Sequence, residues 1–179
     1  MKLSKLISCS MMGVVLFAAD ALLKAYVCFY IPSMHLSQPL YPYGGIGVFR
    51  DWHGIDFSIT HVMNKGAAWG MFSGIQEYLL YARVLIIGGL LSYLLFVKTT
   101  GYRKCCLTMI AAGALGNVID TFVYGHVIDM FYFIFWGYSF PVFNLADSAI
   151  FTGIVLLLTE SLWLKIRGGS SKKSAREPA

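Results

Sequence analysis

The sequence predicts an α-helical integral membrane protein with four transmembrane helices, a small extracytoplasmic β-sheet and an aromatic segment at the membrane interface. Three observations support this fold class. Of the 179 residues, 58% are hydrophobic and only 13% are charged, whereas roughly a quarter of the residues in a soluble domain are charged. The mean hydropathy is +0.67. The basic residues cluster at the two termini and in one short loop, which is typical of membrane orientation and not of nucleic-acid binding.

Four long apolar stretches predict the spans, because a helix needs roughly 20 apolar residues to cross the hydrocarbon core. These stretches are residues 6–30, 78–97, 105–123 and 141–164. The first one also resembles a cleavable secretory signal, but its apolar residues continue to Tyr30 and predict a retained span. Pro141 suits the first turn of the last helix. We predict one membrane domain over residues 1–168 and a disordered, basic cytoplasmic tail over residues 169–179.

The segment of residues 40–75 has a different pattern. Its stretches GIGVFRDW and IDFSITHVMN alternate between apolar and polar residues, and this period of two predicts short β-strands. Residues 124–140 are rich in aromatic side chains and are interrupted by Gly125 and Gly137. That composition predicts a segment lying at the membrane surface and not a fifth span.

The basic residues also predict the orientation. Four spans place both termini on one side, where ten lysines and arginines fall, against Arg50 and Lys65 on the other side. The termini are therefore predicted to be cytoplasmic. A rise of about 1.5 Å per residue places Asp20, Asp120 and Asp147 roughly 22 to 27 Å above the cytoplasmic ends of their helices, near the outer face.

Carboxylates and amides from separate segments are predicted to converge at this depth. Asn117 and Asp120 are three residues apart. Asn144 and Asp147 have the same spacing, so on a helix each asparagine shares a face with its aspartate. Asp129, on an outer connection, can reach the same level. Two neighbouring carboxylates that share one proton provide an acid and a base, which is the arrangement of aspartic peptidases.

Other chemistries and functions fit the residues less well. The cysteines are scattered, poorly placed for a disulfide and interpreted as packing residues; they are Cys9, Cys28, Cys105 and Cys106. His126 could bind a metal with nearby aspartates, but one histidine with carboxylates is a poor zinc site, and we predict no metal and no cofactor. A proton-coupled transporter and a structural scaffold remain alternatives. A transporter, however, is expected to have midplane charges and related halves.

Five short segments together resemble lipoprotein signal peptidase, the bacterial signal peptidase II family of aspartic peptidases (family A8). The segments are DALLK at Asp20–Lys24, NKGAAWG at Asn64–Gly70, GALGNVID at Gly113–Asp120, GHVID at Gly125–Asp129 and FNLAD at Phe143–Asp147. Their order and spacing are similar to the family pattern across all four spans, which makes the resemblance specific.

The resemblance implies that Asp129 and Asp147 are the catalytic dyad. It also implies that further residues support the site or bind substrate, namely Asp20, Lys24, Asn64, Gly66, Gly113, Asn117, Asp120, Val127, Asn144 and Ala146. The implied activity removes the signal peptide from diacylglyceryl-modified prolipoproteins by cutting just before the lipidated cysteine. We expect a monomer in the bacterial cytoplasmic (inner) membrane that contacts membrane lipid and no nucleic acid.

Two positions depart from the family pattern. Thr121 stands where the family commonly has arginine, which removes a possible charge partner of Asp120. Ala21 stands where glutamine commonly follows Asp20. Both positions lie outside the dyad, so they bear on the supporting hydrogen bonds and not on the class of reaction.

Overall fold

Four helices and a four-stranded sheet make up the part of the chain that the computed structural model describes, residues 3–34, 40–65 and 76–174. In chain order the elements are α1 (Leu3–Tyr30), β1 (Ile46–Trp52), β2 (Ile55–Asn64), α2 (Gln76–Phe96), α3 (Gly101–Tyr124), β3 (Val127–Phe135), β4 (Tyr138–Ser139) and α4 (Leu145–Ser174).

Helices α1, α3 and α4 are each long and apolar enough to cross a membrane. The qualifying stretches are Ile7–Tyr30, Gly101–Tyr124 and Leu145–Arg167, and α2 contributes a shorter apolar stretch, Leu80–Phe96. Large apolar side chains on the outside of these helices are exposed, for example Phe29 on α1, Leu85 on α2 and Phe151 on α4. Such surfaces are unfavourable in water and suit contact with lipid.

Helix α3 is the centre of the bundle, since it packs against each of the other three helices. Glycines allow the close approach. A Cβ atom on Gly113 would collide with the backbone oxygen of Ala146 on α4, and one on Gly116 would lie 2.7 Å from Oδ2 of Asp20 on α1. The ends of three helices that carry polar residues are thereby brought together.

The sheet is antiparallel with the strand order β1-β2-β3-β4, and its first two strands confirm the two alternating stretches of the sequence. Most of the aromatic segment of residues 124–140 forms β3 and β4 and so belongs to this sheet. Strand β3 pairs with β2 from Ile55 opposite Phe135 to Asn64 opposite Val127. Its sequence lacks alternation because its first four residues are all buried, as happens when both faces of a strand are covered.

Helix α4 begins at Leu145 and not near Pro141, as the sequence had suggested. The residues before it are held extended by hydrogen bonds in which the N–H groups of Met130 and Phe131 donate to the backbone oxygen of Phe143. The helix can therefore start only after this connection has left β3.

Helix α4 also ends later than predicted. It continues to Ser174 and so includes residues 169–174, for which the sequence predicted disorder. One glycine and three serines in this six-residue stretch are weaker helix formers than its two lysines, so its helical state is a continuation of α4 and is not explained by local propensity.

A disulfide joins Cys9 of α1 to Cys105 of α3, so the prediction that the cysteines are poorly placed for a disulfide is wrong for this pair. Cys28 and Cys106 are free. The two helices run in the same direction, since Cys9 meets Cys105 near their starts and Lys24 meets Asp120 near their ends. Spacing in the sequence does not reveal which helices are neighbours. The cross-link fixes the position of α1 along α3.

Candidate active site

The pairing of β2 with β3 positions Asp129 and Asn64. Asp129 lies opposite Val62, and Asn64, two residues beyond Val62, is on the same face of the sheet because side chains alternate along a strand. The Asn64 Nδ2 group donates a hydrogen bond of 2.8 Å to Asp129 Oδ2. Val127, the partner of Asn64 in the sheet, is buried and completes this end of β3.

Asp147 reaches the same place from the first turn of α4. Its backbone N–H donates to Asn144 Oδ1 at 2.8 Å, and the Asn144 N–H donates to Asp147 Oδ2 at 3.3 Å. This reciprocal pair is a capping box, which fixes the start of the helix and the orientation of the carboxylate together. From α3, Asn117 Nδ2 donates to Asp147 Oδ1 at 2.8 Å. Both oxygens of Asp147 therefore accept N–H groups.

Asn144 connects the two aspartates. Its side chain is completely buried, and its Nδ2 group donates to Asp129 Oδ1 at 2.7 Å. Its backbone and its Oδ1 atom hold Asp147, as described above. One asparagine thus orients both carboxyl groups, and its buried position leaves it little freedom to turn away.

A buried charge cluster adjoins the dyad. The ammonium group of Lys24 lies 2.7 Å from an oxygen of Asp20 and 2.7 Å from an oxygen of Asp120. It also donates to Asn117 Oδ1 at 2.9 Å, which leaves the Nδ2 group of that amide to donate to the dyad. Lys24 is 0% exposed, so its charge is stabilised by these neighbours and not by water.

The two carboxylates of this cluster each hold a backbone group next to a dyad residue. Asp20 Oδ1 accepts the N–H of Ala146 at 2.8 Å, and Asp120 Oδ2 accepts the N–H of Ile128 at 3.4 Å. Ala146 precedes one dyad aspartate and Ile128 the other. Gly113 makes room for Ala146 by having no side chain. The cluster therefore positions both halves of the dyad through the backbone.

The surroundings of Asp129 change its acidity. Burial and the nearby charge of Asp147 raise the pKa of Asp129 from 3.8 to about 7, against the opposing effects of hydrogen bonds from Asn64 and Asn144 and of the charge of Lys24. Near neutral pH the Asp129 carboxyl group can therefore hold a proton, as one member of a closely spaced carboxyl pair is expected to do.

The two departures from the family pattern are accommodated locally. Thr121 uses its hydroxyl to donate to the backbone oxygen of Asn117 at 3.2 Å. Asp120 still has a cationic partner without that arginine, because Lys24 forms an ion pair with it. Ala21 is exposed, on a part of α1 that faces away from the site.

The structure brings together every site residue predicted from the sequence except Gly66, which lies outside the described residues. Two residues near the site were missed. Gly116 permits the approach of Asp20, and its spacing of three from Gly113 was an available signal. Lys65, which the sequence indicates only as a charge that sets orientation, also lines the cleft beside the dyad.

This cleft has a volume of about 490 Å³ and opens beside Asp129. Its described lining comes from Met34, the end of β2, β3, Ser139 of β4 and the residues before α4. A separate apolar cavity of about 350 Å³ lies among α1, α2 and α3 and contains none of the dyad residues. Of these two, the cleft beside Asp129 is the one that can bring a substrate to that carboxyl group.

Two aspartates oriented by one buried asparagine, at one end of an apolar helical bundle, are the arrangement expected of a membrane aspartic peptidase. The family model of signal peptidase (SPase) II, Peptidase_A8, matches residues 12–163. The chain belongs to this family.

Individual relatives agree with this assignment. A lipoprotein signal peptidase of Chlamydia pneumoniae is 41% identical over 111 residues, which are 61% of this chain and 66% of that protein. One from Deinococcus radiodurans is 38% identical over 156 residues, which are 83% of this chain and 75% of that protein. The chain thus spans about two thirds to three quarters of the length of these curated relatives.

Solved structures share the fold. A bacterial membrane enzyme determined by the in meso method at 2.3 Å resolution has a TM-score of 0.72 and 24% identity, over 96% of this chain and 93% of that one. Another, at 1.9 Å resolution, has a TM-score of 0.68 and 26% identity, over 87% and 92% of the two chains.

Proposed function

We propose that this protein is the endopeptidase that removes the signal peptide from diacylglyceryl-modified prolipoproteins, cutting just before the lipidated cysteine. The observation that carries the proposal is the buried Asn144, which holds Asp129 and Asp147 side by side. The substrate class is supported by relatives that are named lipoprotein signal peptidase. An acid and a base in one site are what hydrolysis of an amide bond requires.

In the proposed reaction Asp129 is the acid and Asp147 the base. Asp129, with its pKa of about 7, donates a hydrogen bond to the oxygen of the scissile carbonyl. Asp147, stabilised by two N–H donors, takes a proton from water while the water oxygen bonds to the carbonyl carbon. As the C–N bond breaks, the leaving nitrogen receives that proton, and the dyad again holds a single proton.

We further infer that all four helices span the bacterial inner membrane, with cytoplasmic termini and the dyad near the outer face. The apolar stretch of α2 and its packing against α3 support its role as a span. This orientation places the Cys9–Cys105 disulfide at the cytoplasmic end of α1 and α3.

Reporter fusions test this topology. Alkaline phosphatase fused after Leu40 or Tyr138 is expected to be active, because those positions lie outside, and to be inactive after Thr100 or Ser171. Green fluorescent protein fusions at the same four positions should give the reverse pattern and serve as the control. A cytoplasmic signal at Leu40 would invert the orientation.

Dependence on the substrate's lipid tests the proposed activity. Purified full-length protein in detergent is given two precursors with the same peptide, one diacylglyceryl-modified and one not. Each buried acyl methylene contributes about 0.8 kcal/mol, so loss of even four methylene contacts, about 3 kcal/mol, is expected to lower kcat/KM by about 200-fold. Equal cleavage of both precursors would indicate an ordinary peptidase, and no cleavage of either one would reject the activity.

A further inference from the structure

The cleft beside Asp129 has a cationic side chain at its edge. Lys65 directly follows Asn64, the residue whose amide contacts Asp129, and all three line the cleft. Among the described residues of the lining, Lys65 and Asp129 are the ones with an ammonium or carboxyl group. Lys65 is exposed and forms no ion pair with any residue in the described part of the chain. Its charge is therefore available to a bound molecule.

The neighbouring His126 does not add a second positive charge. Burial, followed by the effects of His61 and Lys65, lowers the pKa of His126 from its usual 6.5, so the ring is neutral at pH 7. Because Lys65 contributes to the lowered pKa of His126, its charge acts at the residue that directly precedes β3. A single lysine thus sets the charge at this edge of the cleft.

The position of the cleft indicates which half of a precursor it receives. Its described lining comes entirely from strands and connections and from none of the four helices. An apolar signal peptide instead matches the exposed apolar surfaces of the helices. The polypeptide after the scissile bond must continue towards water, so it is the half that passes along the sheet and through the cleft.

We propose that Lys65 is a specificity-determining residue that favours precursors with an acidic side chain shortly after the lipidated cysteine. This inference rests on the proposed function and names a preference within its substrate class. The contact is at the edge of the cleft and remains partly hydrated, so its effect is that of an exposed ion pair. At low salt we expect a threefold to fivefold preference in kcat/KM, which is about the effect of one exposed ion pair. The preference should become smaller as salt screens the charges.

The preference is measured with lipidated precursor peptides that differ only in having Asp or Asn as the second residue after the cysteine. The parent protein is expected to cleave the Asp peptide about threefold to fivefold better in kcat/KM, mainly through KM, because the charge contributes to binding. Lys65→Gln should cleave both peptides equally, and a melting temperature equal to the parent's would show that it is folded. Lys65→Glu should prefer the Asn peptide.

Arg50→Gln is the matched control. Arg50 is the other exposed basic residue on the side predicted to be outside, but it lies on β1 and does not line the cleft. This variant should keep the parent's preference for the Asp peptide. If it loses the preference as Lys65→Gln does, general surface charge explains the effect and the proposal is wrong.

Repeating the assays in nanodiscs of zwitterionic or anionic lipid separates a peptide contact from a headgroup contact. A Lys65 effect that follows the peptide's charge in both lipids supports the proposal. If the effect of Lys65 on cleavage depends on the charge of the lipid and not on the charge of the peptide, the proposal is wrong. Equal cleavage of both peptides by the parent also overturns it while leaving the proposed function intact, whereas no cleavage of either peptide rejects the proposed function itself.

Discussion

Replacement of either dyad aspartate by asparagine is expected to lower kcat by roughly 10²- to 10⁴-fold, the usual range for loss of a positioned acid or base. Asp129→Asn and Asp147→Asn keep the shape and one of the two acceptor oxygens of the carboxylate, but neither amide can exchange a proton with water or the leaving nitrogen. Cleavage of the lipidated precursor, followed in single turnovers, measures the chemical step directly.

The control for this experiment is Asp120→Asn. Asp120 contacts Lys24 and the backbone of Ile128 and makes no described contact with Asp147. Its replacement should therefore reduce stability more, and turnover less, than replacement of a dyad residue. Parent-like cleavage by folded Asp129→Asn or Asp147→Asn protein would exclude the aspartic mechanism.

The same Asp129→Asn variant is expected to be more stable than the parent at alkaline pH. The pKa of Asp129 is raised from 3.8 to about 7 on folding, so the folded state binds the proton more tightly than the unfolded state. The stability that the protonated Asp129 contributes to the parent protein is fully present below pH 4 and is lost as the pH rises through about 7. Asparagine stays neutral throughout. The melting temperature of the variant should exceed the parent's at pH 8, and this gain should disappear near pH 4.

The polar centre of the site could be predicted because its residues stand out chemically. Ionised groups such as Asp120 and Asp147 are costly within apolar stretches unless they have partners, and the spacing of the asparagines points to those partners. The apolar spans and the strands β1 and β2 could be predicted because each has a recognisable hydrophobic pattern. These features depend on residues that are close in sequence.

The features that were missed depend on contacts between distant segments. Strand β3 was not recognised because its buried first half does not alternate, and its partner β2 is far away in the sequence. The Cys9–Cys105 disulfide spans a separation of 96 residues and requires knowing that α1 and α3 are neighbours. The start of α4 depends on the pairing of Phe143 with Phe131, which the helical preference of the sequence does not reveal.

The second large effect is expected from Lys24→Met. Methionine keeps much of the length and the apolar stem of lysine but removes the positive charge between Asp20 and Asp120. Two buried carboxylates then face each other without a cation. Loss of one partner from a buried ion cluster typically lowers the free energy of unfolding by about 3 to 5 kcal/mol. A thermal melt of the purified protein in detergent should show a correspondingly large drop in melting temperature.

A triple variant separates charge from packing. Lys24→Met combined with Asp20→Asn and Asp120→Asn removes the cation and both anions while keeping similar shapes, and it should regain much of the lost stability because no unpaired charge is left behind. Activity should recover less than stability. The weaker amide acceptors would hold the N–H groups of Ala146 and Ile128 less firmly, and the dyad aspartates that follow these residues would be less well oriented. If Lys24→Met alone melts at the parent's temperature, the buried ammonium is not what holds α1, α3 and the start of α4 together.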